Sequence, residues 1–214
     1  KNAKNNPYAY CCDSLTVKDV LRSTMLCDPI RVQEAKPTPV DGACALILAN
    51  EEKARKLTKK PVWITGMSSC YDHHELGYRD LANCDALVTA SQKAYKMAGI
   101  RNPLKEFDVA EISEHYSYQE PLWYEGLGFC GKGEGGKLID SGKTEMGGEL
   151  PVNPSGGVLS GIPHCLAGMH SVVECALQLR GEADKRQVKG AKKALAHGID
   201  GPAGQLHCVI TLEN

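Results

Sequence analysis

Apolar runs and periodic helical segments alternate along this chain, and they predict strands and helices in turn. Four short runs have the length and the residue types of strands. They are CALILAN (44–50), PVWITGM (61–67), FDVAEIS (107–113) and QLHCVITLE (205–213).

Helices are predicted between these runs. The clearest spans residues 80–99, where apolar residues recur near the 3.6-residue period and Gly99 closes the segment. Four further helices are predicted at EEKARKL (51–57), YSYQEPLWYEGLG (116–128), LAGMHSVVECALQLRG (166–181) and VKGAKKALAHG (188–198).

The alternation of strands and helices predicts a layered α/β domain, in which helices cover a core sheet. The clearest break lies near Lys59 and Lys60, between one strand–helix unit and the next strand. We therefore predict two units, residues 1–59 and residues 60–214.

Composition and charge narrow the function classes. The 214 residues are 42% hydrophobic and 24% charged, which is typical of a folded domain. The formal net charge of -1 gives no basic excess of the kind that binds nucleic acid or anionic membranes. No apolar run approaches the roughly 18 residues that span a bilayer, and the first residues do not resemble a signal peptide. We expect a cytoplasmic protein with no nucleic-acid or membrane partner.

The ten cysteines are scattered, and no C-x-x-C pair occurs. This distribution is typical of buried free thiols in a reducing compartment, not of a zinc ribbon or a redox dithiol. His73 and His74 are interpreted as surface residues, and no metal site is predicted. The chain opens with KNAKNNPYAY and lacks an initial Met, so we consider the hypothesis that a portion precedes it or that another polypeptide supplies one.

Candidate chemistry lies in two glycine-rich regions. The first, residues 109–135, places Ser-Glu-His-Tyr (113–116) at the end of a predicted strand. Its glycines at 131–136 fit G-x-G-x-x-G, but they follow a predicted helix and so do not favour a dinucleotide site. The second, VNPSGGVLSGIP (152–163), is either a tight turn or a loop whose glycines and N–H groups approach a ligand.

Several stretches together resemble one family in their order and spacing. They are KPTPVDGACALILANEEKARKL (36–57), the region from FDVAEISEHY to GKGEGG (107–136), GGELPVNPSGG onward to QLRGEA (147–183), and ALAHGIDGPAGQLHCVITLE (194–213). The most specific part is N-P-S-G-G followed by Q-L-R-G-E-A. On these motifs the chain resembles, over nearly its whole length, the second half of a sterol-carrier-type thiolase.

The resemblance implies a thiolase fold, layered α-β-α-β-α, made of two similar domains. Residues 1–59 would be the end of the first domain and residues 60–214 the whole of the second. It also implies that a nucleophilic cysteine, absent from this chain, attacks a 3-oxoacyl-CoA. Coenzyme A would be substrate or product, with no permanently bound cofactor. The expected partners are a second copy in a homodimer or higher oligomer and a small zinc-ribbon/OB-fold subunit.

The chain departs from the family at two histidines. The family's H-D-C-F falls on residues 113–116, so Ser113 stands where the family has histidine. Its G-H-P falls on residues 161–163 when the preceding loop is shortened by one residue, so Ile162 stands at the second histidine. If the loop is shortened at another position, His164 takes the place of that histidine.

Four residues are predicted to carry the chemistry. By the resemblance, His115 lies near the substrate, where its near-neutral pKa suits acid–base work. Tyr116 is either a hydrogen-bond donor to an enolate or a core aromatic. Ser113 is either an oxyanion donor or the cap of the following helix. His164 is a candidate proton carrier.

A further set of residues is predicted to bind substrate or CoA. The pantetheine arm is expected to pass the turn that contains Asp41 and Gly42 and then the N-P-S-G-G loop. The predicted contacts in that loop are Asn153, Ser155, Gly156 and Gly157. Cys165 is either a substrate contact or a core residue at a helix start.

Two function classes remain open. The first is a thiolase-type acyltransferase that cleaves or forms a C–C bond in a 3-oxoacyl-CoA, with the missing cysteine as nucleophile. The second is a thiolase-fold lyase that performs a retro-aldol cleavage of a 3-hydroxyacyl-CoA such as a steroid side-chain thioester, and it needs no nucleophilic cysteine. The steroid side-chain aldolases share LGFCGKGE with residues 127–134 but have tyrosines where this chain has Ser113 and Ile162. A non-catalytic scaffold is a weaker third interpretation.

Overall fold

The computed structural model describes residues 1–11, 15–35, 40–161 and 163–214, apart from the side chain of His164. The helices of this part are α1 (Val17–Arg22), α2 (Glu51–Leu57), α3 (Asp85–Ala98), α4 (Pro103–Glu106), α5 (Gln119–Gly126), α6 (Gly135–Asp140) and α7 (Ala167–Arg180). Its strands are β1 (Met25–Cys27), β2 (Ile30–Arg31), β3 (Trp63–Tyr71), β4 (Val109–Glu111), β5 (Lys193–Asp200) and β6 (Leu206–Glu213).

A mixed sheet of four strands organises the chain. Its order is β3–β6–β5–β4, with β6 antiparallel to both of its neighbours and β4 parallel to β5. An isolated parallel bridge from Ala110 to Val152 joins the loop around residue 153 to the outer side of β4. The sheet therefore brings two distant sequence regions together at the end of β4.

Helices cover both faces of this sheet. On one face, Leu87 of α3 and Trp123 of α5 belong to the same buried cluster as Leu195 and Val209. On the other face, α7 packs Cys175, Leu179 and their neighbours against Ala194, Ala196 and Leu212. The predicted layered α/β class is confirmed.

Helix α3 lies so close to the sheet that β3 requires a glycine beneath it. A Cβ on Gly66 would lie 2.2 Å from the carbonyl oxygen of Ala94 and 2.8 Å from the hydroxyl oxygen of Thr211. The backbone atom cannot rotate away, so an added methyl group must push helix and sheet apart.

Gly66→Ala is therefore expected to lower the free energy of unfolding by about 1–3 kcal/mol, the usual cost of overpacking. Denaturant unfolding measures this loss. Gly136→Ala is the control, because no atom lies within 4 Å of its added Cβ. Equal stability of the two variants would show that α3 does not pack this closely.

Two predictions of secondary structure are wrong. The predicted helix at 188–198 is largely strand β5, which pairs on both sides and has its middle residues buried. Tertiary contacts here override the helix propensity of the alanines and lysines. The predicted strand at 44–50 has no regular structure, and Ile47 is 89% exposed. Apolar residues form a strand only beside a partner strand, and no described strand pairs with this segment.

The other predicted elements are confirmed, with shifted ends. Helix α2 begins after Asn50, whose side chain accepts a hydrogen bond from the backbone N–H of Lys53. Gly99 and Gly181 end α3 and α7 in the left-handed conformation. The boundary near residues 59 and 60 stays a prediction. Within the described residues, no helix combines the length and apolar content needed to cross a bilayer.

Candidate active site

The site is built where β4 ends and its polar residues turn inward. Ser113, Glu114 and His115 follow the strand and are all buried. Asn153 holds this segment from the neighbouring loop: its Oδ1 accepts the backbone N–H of Ile112 at 2.7 Å, and its Nδ2 donates to Glu114 Oε2 at 2.7 Å. The side chain of Asn153 therefore replaces a strand partner and fixes the two regions against each other.

The glycine loop is fastened to the strand by a second carboxyl group. Glu111 accepts hydrogen bonds from the backbone N–H of Ser155 at 2.9 Å and from its hydroxyl at 2.6 Å. Gly156 and Gly157 follow with φ of 105° and 69°. A Cβ on Gly157 would lie 2.0 Å from Glu114 Oε1, so both backbone conformation and space require glycine there.

The loop's N–H groups form hydrogen bonds within the loop and to Glu114. Gly156 donates to the carbonyl of Asn153, Gly157 to the hydroxyl of Ser155, and Leu159 at 3.4 Å to Glu114 Oε1. The loop is thus a tight turn, and the other interpretation, that its glycines approach a ligand, stays a prediction. Asn153 and Ser155, predicted as CoA contacts, are buried supports of this turn, and half-buried Gly156 reaches the surface.

Burial changes the ionisation of the two supporting carboxyl groups. It raises the pKa of Glu111 to about 8, with the neighbouring charge of Glu174 acting in the same direction. Burial, with the charge of Glu120 next, raises the pKa of Glu114 well above its ordinary value. Both groups favour the protonated form, in which a carboxylic acid can donate as well as accept a hydrogen bond.

The raised pKa of Glu111 makes stability depend on pH. Between pH 4.5 and about 8 the folded protein keeps a proton that the unfolded chain releases, so stability falls as pH rises, by at most about 1.4 kcal/mol per pH unit for this group. Glu111→Gln imitates the protonated acid. We expect the variant to lose less stability than the native protein between pH 5 and pH 8, measured by denaturant unfolding.

Glu52→Gln, on the exposed face of α2, is the matched control and should leave the slope unchanged. If Glu111→Gln keeps the native slope, the carboxyl group of Glu111 is ionised in the folded protein throughout this range.

His115 is held by its backbone at the start of the next helix. Its N–H donates to Gln119 Oε1 at 2.7 Å, and the N–H of Tyr116 reaches the same oxygen at 3.2 Å. The side chain is 9% exposed. The structure therefore buries the imidazole that follows Glu114, and its role near a substrate stays a prediction.

The hydroxyl and the carbonyl of Ser113 both form hydrogen bonds to other parts of the fold. Its hydroxyl donates to the carbonyl of His197 at 3.0 Å, and its own carbonyl accepts from Trp123 Nε1 at 2.9 Å. Helix α5 is preceded by Tyr118 and has no side-chain cap, so the capping interpretation of Ser113 is wrong. An oxyanion role requires this hydroxyl to leave the His197 carbonyl.

Tyr116 lies at the rim of the site. It is 36% exposed and stacks on Tyr118, with ring centroids 5.6 Å apart and planes within 17°. The core-aromatic interpretation is therefore wrong.

Two further predicted residues, Cys165 and Gly42, lie around the far end of the glycine loop. Cys165 is exposed on a 3-10 turn, His164–Leu166, so its core interpretation is wrong. Ile162 and the side chain of His164 lie outside the described residues. A Cβ on Gly42 would lie 2.7 Å from Cγ of Pro163, which places the predicted Asp41–Gly42 turn against this loop.

A cavity of about 530 Å³ opens beside the loop. It is lined by Glu114, Asn153 and Gly156 of the site, by Glu120 and by residues 1–4. Its volume lies within the range of small-molecule sites. The described residues contain no group of three or more His, Cys, Asp or Glu side chains placed to hold a metal ion.

Sequence reasoning missed Glu111 and the ring of His197. Glu111 carried a signal, because it is the single charged residue between Val109 and Ile112 in an apolar strand. His197 carried none, because the segment around it was predicted as a helix.

Comparisons with known proteins agree with this architecture. The family model described as thiolase C-terminal domain-like matches residues 68–214. An acetyl-CoA acetyltransferase of Methanothermobacter thermautotrophicus is 39% identical over 211 residues, covering 95% of this chain and 53% of the relative. Sterol carrier protein 2 of Bos taurus is 36% identical over 208 residues, covering 93% of this chain and 37% of the relative.

Among solved structures, an Ltp2-ChsH2(DUF35) aldolase superposes with a TM-score of 0.86 at 26% identity, covering 99% of this chain and 55% of that one. The chain thus spans about half or less of the length of the proteins that it matches. The family match, the fold and the curated relatives confirm the predicted resemblance: the chain belongs to the thiolase family and is of the sterol-carrier type.

Proposed function

We propose that this chain supplies the second-domain part of a thiolase-type acyltransferase that cleaves or forms a C–C bond in a 3-oxoacyl-CoA. The observation that carries the proposal is the glycine loop, bound to the end of β4 through Glu111 and Glu114, with His115 buried beside it. This arrangement offers a shaped loop for a thioester and a proton-transferring side chain at one place.

In the cleavage direction a cysteine thiolate, which the family resemblance places outside this chain, attacks the 3-carbonyl carbon. The bond between C2 and C3 breaks, its electron pair stays on C2 as an enolate, and His115 gives C2 a proton. Acetyl-CoA leaves, and the acyl group passes from the first thiolate to the thiol of a second CoA. Coenzyme A is therefore substrate and product.

A second candidate is the retro-aldol cleavage of a 3-hydroxyacyl-CoA. It is favoured by the aldolase structure that superposes over 99% of this chain. Here a base takes the 3-hydroxyl proton, the C2–C3 bond breaks to leave a carbonyl product, and His115 protonates C2. No acyl-enzyme forms.

The proposed partners follow from the same comparisons. The superposing aldolase is a complex of Ltp2 with a DUF35 subunit, which supports a small zinc-ribbon/OB-fold partner for this chain. A homodimer is also proposed by family likeness. The cytoplasmic location and the absence of nucleic-acid and membrane partners stay predictions.

The test uses the complete protein with any subunit that copurifies. Acetoacetyl-CoA plus CoA is the acyltransferase probe, and a 3-hydroxyacyl-CoA without free CoA is the lyase probe; acetyl-CoA release is measured in both. Thiol-dependent release supports the acyltransferase, and release with a free carbonyl product supports the lyase. Release in neither assay, together with no protection of residues 153–161 from hydrogen exchange by CoA, would overturn the proposal.

A further inference from the structure

A short loop carries both Ser113 and His115, and helix α5 holds this loop through two of its side chains. Gln119 and Trp123 lie four residues apart on the helix and therefore share one face. Trp123 Nε1 donates to the carbonyl of Ser113 at 2.9 Å. Gln119 Oε1 accepts the backbone N–H of His115 at 2.7 Å and that of Tyr116 at 3.2 Å. The helix thus binds the loop at two points, and one of them is the proposed acid–base residue itself.

The two N–H groups lie between regular elements, where the backbone offers them no strand or helix ladder. Strand β4 ends at Glu111 and α5 begins at Gln119. The backbone N–H of Gln119 donates in turn to the carbonyl of Tyr116 at 3.0 Å, so these two residues are linked once in each direction. A glutamine that reaches back to an N–H three residues earlier makes one half of a capping box. Here the same oxygen also holds the N–H of His115.

These hydrogen bonds fix the orientation of the Gln119 amide. Both loop partners are N–H donors, and the oxygen is the one acceptor of a side-chain amide, so Oε1 must face the loop. The side chain is 4% exposed, and water therefore has little access to compete for the two N–H groups. The loop depends on a precise acceptor, which a side chain without an oxygen at this place cannot replace.

The location of His115 matters for the proposed reaction, because its imidazole must meet C2 of the substrate. A reacting group displaced by about 1 Å can lose about a hundredfold in rate. The loop before His115 is fixed where the hydroxyl of Ser113 donates to the carbonyl of His197 at 3.0 Å. The hydrogen bond from His115 N–H to Gln119 acts on the histidine's own backbone, from which the ring projects.

We propose that Gln119 is a positioning residue that sets the location of the His115 imidazole for proton transfer at C2 of the substrate. This inference rests on the proposed function, because it concerns the proton that His115 exchanges there. Gln119 itself touches no reacting atom in this scheme and acts through His115.

The first test examines the hydrogen bonds without substrate, by hydrogen exchange resolved to single amides. In the native complete protein the N–H groups of His115 and Tyr116 are expected to be protected. Gln119→Met has a side chain of the same length without the amide, so both groups should lose protection. The N–H of Ile112, which donates to Asn153 Oδ1, is the internal control and should keep it. Rapid exchange of both amides in the native protein, or full protection in Gln119→Met, would overturn the inference.

The second test measures turnover with acetoacetyl-CoA plus CoA and with the 3-hydroxyacyl-CoA. Gln119→Met is expected to lower kcat by about tenfold or more, with little change in KM, because the imidazole is misplaced but the substrate loses no contact. Gln119→Glu keeps an oxygen that can accept the same two N–H groups, and it should retain most of the native kcat.

Tyr95→Phe is the control for stability. It removes a buried hydrogen bond of 2.8 Å, from Tyr95 Oη to the carbonyl of Leu127, at the other end of α5. The variant loses a bond of a similar kind without touching the loop, and its kcat should equal that of the native protein.

A double-mutant cycle separates positioning from general damage to the fold. The His115→Ala protein has no imidazole to position, so adding Gln119→Met should lower kcat further by less than about twofold. An equal loss on the native and the His115→Ala backgrounds would show that Gln119 does not act through His115 and would overturn the inference. If Gln119→Met does not fold, Gln119→Asn takes its place in the cycle, because it withdraws the amide by one methylene group.

Failure of this inference differs from failure of the proposed function. Native protein that releases acetyl-CoA from neither CoA probe would overturn both. Active native protein whose kcat falls in His115→Ala but not in Gln119→Met would overturn the positioning role alone.

Discussion

His115→Ala is expected to lower turnover about a hundredfold or more while CoA affinity changes little, because a proton-transferring group acts in the chemical step and not in binding. The imidazole lies beside Glu114 at the end of β4, and its backbone, not its ring, is what Gln119 holds. Removing the ring therefore leaves the hydrogen bond to Gln119 in place. Steady-state kinetics with acetoacetyl-CoA and the 3-hydroxyacyl-CoA, and CoA titration, measure the two effects.

Tyr116→Phe is the neighbouring comparison, and it tests the predicted donation from Tyr116 to an enolate. The Tyr116 ring is partly exposed and stacks on Tyr118, which phenylalanine also does, so the variant isolates the phenol hydroxyl. A well-folded His115→Ala protein with near-normal turnover would contradict the role of His115 and make His164 the next candidate. A structural histidine would instead cost about 1–3 kcal/mol of stability and reduce activity only through loss of folded protein.

Ile162→His adds a second comparison. It restores the histidine that the family has at this position. Increased thiolysis would favour the acyltransferase over the lyase, whereas an unchanged ratio of the two activities would remove that support.

The sequence was sufficient for elements whose signals are local. Helix α3 was predicted from the periodicity of residues such as Leu87 and from the glycine at its end, and β6 from the length and residue types of its run. The position of His115 after β4 was predicted because strand end and motif are adjacent in the chain. The family was predicted from motifs whose spacing the fold preserves.

Non-local structure was beyond sequence reasoning. Residues 193–200 became a strand because β4 and β6 lie on either side of them, information that no local pattern contains. Because this segment was predicted as a helix, the packing of the His197 ring against Trp123 of α5 was not foreseen. Ser113 and Ser155 were assigned to substrate from their motifs, but their hydroxyls bind the His197 carbonyl and Glu111 across 84 and 44 residues of sequence.

A buried ion pair behind the glycine loop should produce the largest loss of stability. Arg186 Nε donates to Glu174 Oε1 at 2.8 Å and its Nη2 to Oε2 at 2.9 Å, in a bidentate pair with Glu174 nearly inaccessible. The charge of Glu174 also acts on Glu111, which fastens the loop. Arg186→Met leaves Glu174 buried without its counter-charge, and we expect it to lower the free energy of unfolding by about 3–5 kcal/mol at pH 8.

The loss comes from the unpaired charge, because burial penalises a carboxylate that has no counter-charge. Adding Glu174→Gln removes the unpaired charge and should recover most of the loss. Arg55→Met, in an exposed pair with Glu51, is the control and should cost less than about 1 kcal/mol. If Arg186→Met lowers the free energy of unfolding no more than this control does at pH 8, Glu174 does not depend on Arg186 for its burial. That result would contradict an electrostatic link from this pair through Glu111 to the glycine loop.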